Sequence, residues 1–254
     1  MGPALCVRET SRMLKESVVD GIRVMTDPDA RADGILVAFA DRDGGVSRPP
    51  YDSLNLAATV GDDPDAVEAN RRRVATAVGF DPGELVLARQ VHGCGVLEAG
   101  RDATGVIGEA DVLVSRRSGK VVGILTADCV PVVLAGPGVV AVAHAGWRGL
   151  IGGAIEAAIE RVGAVSKAWV GPSIHACCYE VGPEVTAAFA QRGLPVADPT
   201  HVDPGRAAVV ALHRAGVSNV EATTDCTSCD HRYFSYRRDG VTGRQGAFAG
   251  LVHS

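Results

Sequence analysis

The chemistry of this sequence gathers around a cysteine and a histidine on either side of a short turn. Cys129 closes the stretch Thr126-Ala127-Asp128-Cys129, and His144 opens His144-Ala145-Gly146-Trp147-Arg148-Gly149. Between them lie two apolar runs, residues 130–134 and 139–143, around Gly136-Pro137-Gly138. β-Branched runs bounded by Gly and Pro predict strands, and the short gap predicts a hairpin. Centring the turn between Gly136 and Pro137 sets Leu134 opposite Val139 and Cys129 opposite His144. Directly opposed residues share a face, with Cβ atoms about 5 Å apart. A thiol and an imidazole at that separation can share one metal ion or act as nucleophile and base. A three-residue loop would shift the pairing by one and send the two side chains to different faces. The bland alternatives are a thiol buried as a small hydrophobe and a histidine satisfied within the core. Against them, Asp128, Gly146, Trp147 and Arg148 crowd the pair with groups that a plain core hairpin does not need.

The flanking elements position further candidates. A strand over 35–39 precedes a Gly-rich turn at Arg42-Asp43-Gly44-Gly45 and an irregular stretch Tyr51-Asp52-Ser53-Leu54-Asn55-Leu56. Asp63-Pro64 predicts a helix start, Val67, Val74, Ala75 and Val78 mark one face, and Gly79 closes it. A strand over 85–88 runs into Arg89-Gln90-Val91-His92-Gly93. This places His92 at a strand end, beside a glycine that lets a ligand approach. Strands follow at 112–115 and 121–126, then the hairpin, then one helix from Leu150 to about Val162. The N–H groups at that helix start, together with the Arg148 fork, suit an anion such as phosphate. A strand over 168–170 and helices over 183–191 and 205–215 complete the periodic part. Residues 1–33 show no strong period and read as an irregular leader, with a short strand near 22–25. The domain proper is 34–254.

The chain has 254 residues, enough for one large α/β domain. No apolar run reaches the length of a membrane span. The N-terminal stretch lacks an apolar signal core, so a cytoplasmic protein is expected. The net charge is −5, and the longest basic run is Arg71-Arg72-Arg73, which predicts no nucleic-acid binding. Seven cysteines without an export signal predict reduced thiols or metal ligands rather than disulfides. The single C-x-x-C at Cys226 and Cys229 is a weak zinc or redox signal. These two, like the adjacent Cys177 and Cys178, read as structural thiols.

The ordered blocks R-x-G-G-V-S, S-L-N-L, R-Q-V-H-G, A-D-x-L-V-S, T-A-D-C-x-P-V, H-A-G-W-R-G, C-C-Y-E-V-G and D-C-T-x-C…F-S-Y-R-R-D…T-G-R run from about Ile35 to Leu251. Together they resemble the YfiH/DUF152 family, whose members are described as laccase-domain or polyphenol oxidase proteins and as purine nucleoside phosphorylases. The resemblance implies an α/β (α+β) fold, a single-domain layered sandwich of mixed β-sheets with flanking helices. It implies His92, Cys129 and His144 as metal ligands and as catalytic residues. Ala40-Asp41 stand where relatives often carry threonines, a departure remote from these three.

Two imidazoles and a thiolate suit Zn2+ and leave a fourth position open, with copper ranked below. The implied activity is phosphorolysis of a purine nucleoside (adenosine, inosine or methylthioadenosine) to free base and ribose 1-phosphate, with adenosine deamination beside it. Arg148 is assigned to phosphate with Arg42 as a second cation. Asn55 is assigned to ribose or base, and Gln90 joins the substrate-binding set. Asp128 is assigned to orienting a ligand histidine or shuttling a proton. The rivals are a Cys/His hydrolase editing peptidoglycan precursors, a laccase-like copper oxidase, and a non-catalytic zinc-binding module with four protein ligands.

Overall fold

Alternation of apolar side chains along the strands builds two sheets that share one inner layer. The computed structural model of the chain describes residues 14–252. In chain order the first strands are β1 (Lys15–Val19), β2 (Ile22–Thr26), β3 (Ile35–Ala40), β4 (Leu85–Arg89) and β5 (Val96–Glu98). Next come β6 (Gly105–Glu109), β7 (Val112–Ser115), β8 (Val121–Thr126), β9 (Val130–Gly136) and β10 (Val139–Ala145). The last are β11 (Lys167–Val170), β12 (Val196–Asp198), β13 (His201–Val202), β14 (Val220–Ala222) and β15 (Gln245–Leu251). The helices are α1 (Pro28–Ala32), α2 (Pro64–Val78), α3 (Trp147–Gly152), α4 (Ala154–Val162), α5 (Pro183–Gln191), α6 (Pro204–Arg214) and α7 (Tyr236–Asp239).

One sheet has the strand order β1-β2-β3-β15-β8-β4-β6, the other β14-β11-β9-β10-β7-β5, and both mix parallel and antiparallel pairs. Odd and even positions divide cleanly between layers, as the pleat requires. Val133, Ala135, Val140 and Val142 meet Val37, Phe39, Val122, Ile124, Ala247 and Ala249 between the sheets. The alternate set, Val132, Leu134, Ala141 and Ala143, packs outward under α3 to α6. On the far side of the other sheet, Val74 and Val78 of α2 cover Val24, Leu36, Ala38 and Phe248. The molecule is therefore a single-domain α/β layered sandwich, two mixed sheets between two coats of helix and loop. Among the described residues no helix is long and apolar enough to cross a membrane.

Helix α2 follows its signals: the Asp63 side chain accepts from the Asp65 N–H, Pro64 starts the helix, and Gly79 caps it at φ 83°. Three expectations change. The leader is not irregular over its second half, because 15–32 form β1, β2 and α1 and extend a sheet; its first 13 residues lie outside the described residues. The single helix expected after the hairpin is two, α3 and α4, divided at Gly153, whose φ of 91° leaves the right-handed helical region. The hairpin register differs by two residues: Gly136 pairs with Val139, and His144 with Pro131. Pro137 and Gly138 occupy the turn. Proline's fixed φ fits its first position, and Gly138 at φ 68° fits its second. A slip of two preserves the faces, so His144 keeps to the side of Val140 and Val142, toward the layer between the sheets, while Cys129 lies just ahead of β9, outside the paired register.

Candidate metal centre

Three connections that run past one end of the two sheets bring the candidate ligands together. Cys129 stands just ahead of β9, His144 is the penultimate residue of β10, and His92 sits in the loop after β4. One ligand atom from each lies within 4.8 Å of the other two. The Cys129 Sγ is 3.8 Å from His92 Nε2, and the two imidazoles meet edge to face at 4.8 Å between centroids. His144 is buried, Cys129 half-buried and His92 exposed, so the group opens to solvent on the His92 side.

The backbone accounts for this convergence. His92 adopts φ 60°, which is unusual for a residue with a side chain. Asp111, ahead of β7, explains it. Its carboxylate accepts the N–H groups of Val91, His92 and Gly93 at 3.2, 2.9 and 2.7 Å, curling that loop around one anion. The same carboxylate accepts a 2.7 Å hydrogen bond from His144 Nδ1. With Nδ1 committed, His144 turns Nε2 toward Cys129. A carboxylate behind a ligand histidine fixes its tautomer and raises its basicity. Gly146 completes the fit: a Cβ there would stand 3.0 Å from His92 Cδ2 and 3.1 Å from the Cys129 sulfur.

The electrostatics agree with a ligand set. Burial alone would lower the His144 pKa, but the Cys129 thiolate and Asp111 raise it to about 9. Burial alone would raise the Cys129 thiol; the charge and hydrogen bonds of His144 and His92 lower it to about 6. Burial also opposes ionisation of Asp111, yet its bonds from His144, Gly93 and Val91 hold it below the ordinary carboxylate value. In zinc geometry, donors at about 2.0–2.3 Å from the ion stand roughly 3.5 Å apart, which the His92–Cys129 separation approaches. Three donors converge and leave one side open, as a metal site with a free coordination position requires.

The other expected residues divide. Arg148 lies at the start of α3, exposed, its guanidinium 4.3 Å from the Trp147 ring. Asp128 does not orient a ligand histidine, since its two oxygens accept from the Thr227 hydroxyl and the Arg237 N–H, both at 2.7 Å. The orienting carboxylate is Asp111, a residue of the A-D-x-L-V-S block to which the sequence reading gave no role. Asn55 has no hydrogen bond left for ribose or base. Its amide donates to Ala57 O and Asp62, and its carbonyl accepts from the Ala57 and Arg244 N–H groups. Those four bonds exhaust it, and the correction is that Asn55 braces its loop. Gln90 clasps both backbone groups of Leu125. Arg42 pairs with Asp52 and lies 4.7 Å from the Phe234 ring centroid.

Two further groups were missed. Tyr179 is pushed up to about 12, chiefly by burial and then by Cys129 and Asp128, and it senses Arg237 and Arg148. Arg244 is half-buried and electrostatically coupled to Cys129 and Asp128. Both lie in motif blocks, Arg244 in T-G-R and Tyr179 in C-C-Y-E-V-G, but nothing in their spacing points to His92.

The model of the multi-copper polyphenol oxidoreductase laccase family matches residues 36–252. The chain is 41% identical over 234 residues to purine nucleoside phosphorylase ORF3 of Streptomyces griseus, covering 84% of this chain and 93% of that one. It is 39% identical over 236 residues to purine nucleoside phosphorylase YfiH of Escherichia coli K12, covering 86% and 95%. The crystal structure of YlmD from Geobacillus stearothermophilus superposes with a TM-score of 0.86 at 30% identity, covering 96% of this chain and all of that one (100%).

Proposed function

This chain belongs to the YfiH/DUF152 laccase-domain family, and from that premise we propose that it is a zinc-dependent purine nucleoside phosphorylase. The observation that carries the reading is the open His92–Cys129–His144 triad, with its carboxylate brace. The relatives' names supply the substrate class, purine nucleosides with phosphate. A zinc ion on the triad would supply a Lewis acid at the open vertex.

The chain's own residues divide the remaining work. Arg148 and Arg244 bind and orient inorganic phosphate through charge-assisted hydrogen bonds. A phosphate oxygen then forms a bond to C1′ as the C1′–N9 bond breaks; the bonding pair leaves with the purine, which takes up the proton that the hydrogen phosphate gives up. Tyr179 stays protonated at neutral pH and donates a hydrogen bond at the rim. His144 is held in one tautomer by Asp111 and keeps its Nε2 aimed at the centre. Deamination of adenosine would use the same open vertex for water, and we rank it as a side activity. Laccase chemistry fits less well. The metal-capable clusters among the described residues contain two histidines, His92 and His144, whereas a multicopper oxidase needs a histidine-rich trinuclear centre in addition to a His2Cys copper.

The test is a chromatographic assay of the zinc-loaded protein with adenosine, inosine and methylthioadenosine, with and without phosphate. Free base and ribose 1-phosphate are expected only when phosphate is present, and Cys129→Ala should abolish them. Arg148→Ala and Arg244→Ala should each raise the phosphate KM by about 10-fold or more, the loss of one charge-assisted hydrogen bond. Base release that ignores phosphate would overturn the reading.

A further inference from the structure

Four further thiols gather in two loops near the candidate centre, and the proposed phosphorolysis uses none of them. Cys177 and Cys178 belong to the loop between β11 and α5, and Cys226 and Cys229 to the segment between β14 and α7. Their four Sγ atoms lie within 4.8 Å of one another. Cys229 is 3.5 Å from Cys177 and 3.1 Å from Cys178. Four sulfurs bound at about 2.3 Å around a tetrahedral ion stand roughly 3.8 Å apart. The two Cys229 separations fall short of that value and no pair exceeds 4.8 Å, so the sulfurs need move relative to one another by no more than about 1 Å to reach it, and the cluster contains no histidine or carboxylate. We propose that Cys177, Cys178, Cys226 and Cys229 hold a second zinc ion in a closed, four-thiolate structural site.

The surrounding backbone is shaped for it. The Cys229 and Asp230 N–H groups both turn back onto the Cys226 carbonyl, and the Cys178 and Tyr179 N–H groups onto the His175 carbonyl. Each loop thus presents its pair of thiols from a tight turn. The Arg238 guanidinium reaches the carbonyls of Thr227 and Ser228, placing a cation beside a site with a net charge near −2 once four thiolates bind Zn2+. A Ser173–Cys226 β-bridge already joins the two loops. As the ion binds, the four thiols give up their protons to solvent.

The consequence reaches the candidate centre without depending on its chemistry. Tyr179 follows Cys178 directly, and Arg237 lies 5.0 Å from its ring centroid. Thr227, between the two cysteines of the C-x-x-C, bonds Asp128, and so does the Arg237 N–H. A zinc clasp on these loops would fix the wall that carries Tyr179 and Arg237.

The experiment uses the full chain purified reduced with zinc and then desalted. Elemental analysis should find about two zinc ions per wild-type chain and about one in Cys129→Ala, where only the thiolate site remains. The Cys226→Ser/Cys229→Ser double variant should also keep about one. Independently of any variant folding, zinc should protect Cys177, Cys178, Cys226 and Cys229 of the wild type from iodoacetamide, mapped by mass spectrometry. Chelation of Cys129→Ala should lower its melting temperature. A zinc-free Cys129→Ala, iron in place of zinc, equal alkylation with and without zinc, or a disulfide among these four would each overturn the proposal.

Discussion

Asp111 shows how much one side chain can organise. It is fully buried, so its charge persists only because every available donor is turned onto it. Three are backbone N–H groups of the His92 loop, and the fourth is His144 Nδ1. One carboxylate therefore sets the position of one ligand and the tautomer of another. Asp111→Asn keeps the shape but places an amide N–H against donors. Zinc affinity measured by chelator competition should fall by about 10- to 100-fold. In the metal-free variant His144 also loses part of what holds it cationic up to about pH 9. The Cys129 thiolate, stabilised by that cation, should then form at higher pH than about 6. The rate of Cys129 alkylation against pH reads this directly. An unchanged zinc affinity and alkylation profile would remove Asp111 from its role.

At the scale of elements, the centre depends on where strands stop. β10 ends at Ala145, and Gly146 carries the chain into α3 while touching two ligands. Its φ of −67° suits any residue, so the backbone does not demand glycine there; the neighbours do. Gly146→Ala should fold with stability within about 1 kcal/mol of the wild type. It should bind zinc about tenfold more weakly, because the methyl group forces His92 or the Cys129 sulfur aside by tenths of an ångström. Denaturation of the metal-free protein and zinc titration separate the two effects. Equal zinc affinity would mean that the ligands do not crowd this glycine. The missed strand β15 belongs at this scale too. Gln-Gly-Ala-Phe-Ala-Gly-Leu carries no β-branched residue and gives no strand signal, yet it pairs with β3 and β8 in mid-sheet. Small residues serve there because both faces are covered, Gly246 and Phe248 on one side and Ala247 and Ala249 on the other.

Across the whole molecule, Asp27 joins the N-terminal segment to the opposite sheet. Its carboxylate caps α1 through the Asp29 and Ala30 N–H groups and accepts from Lys167 Nζ at 2.5 Å and Trp169 Nε1 at 2.9 Å. Burial alone would raise its pKa, but Lys167 and the N–H donors of Ala30 and Trp169 lower it below 3.8. A depressed carboxyl contributes stability that is present above its unfolded value and lost as pH falls through the folded one. Asp27→Ala leaves the largely buried Lys167 with Glu221 as its remaining carboxylate and removes two charge-assisted bonds and a helix cap, which should cost about 2 kcal/mol at neutral pH. That loss reads as a lower urea midpoint with an unchanged slope. The gap from wild type should close below pH 3.8. A gap that stays constant with pH would mean that the buried ion pair is not its source.

What the sequence determined by itself was local or periodic. The caps of α2, the strands 112–115 and 121–126, helix 183–191 and the hairpin between Cys129 and His144 all follow from signals within a few residues. The ordered blocks added the identity of His92 as a partner. Tertiary structure alone decided the rest. It chose Asp111 over Asp128 as the orienting carboxylate, spent Asn55 on its own loop, set β15 in mid-sheet and brought Cys177 and Cys178 to Cys226 and Cys229. The physical reason is common to all four. Each group takes whichever partner the packed layers and loops bring within reach, and that partner is set by sheet order and loop path, which no spacing along the chain encodes.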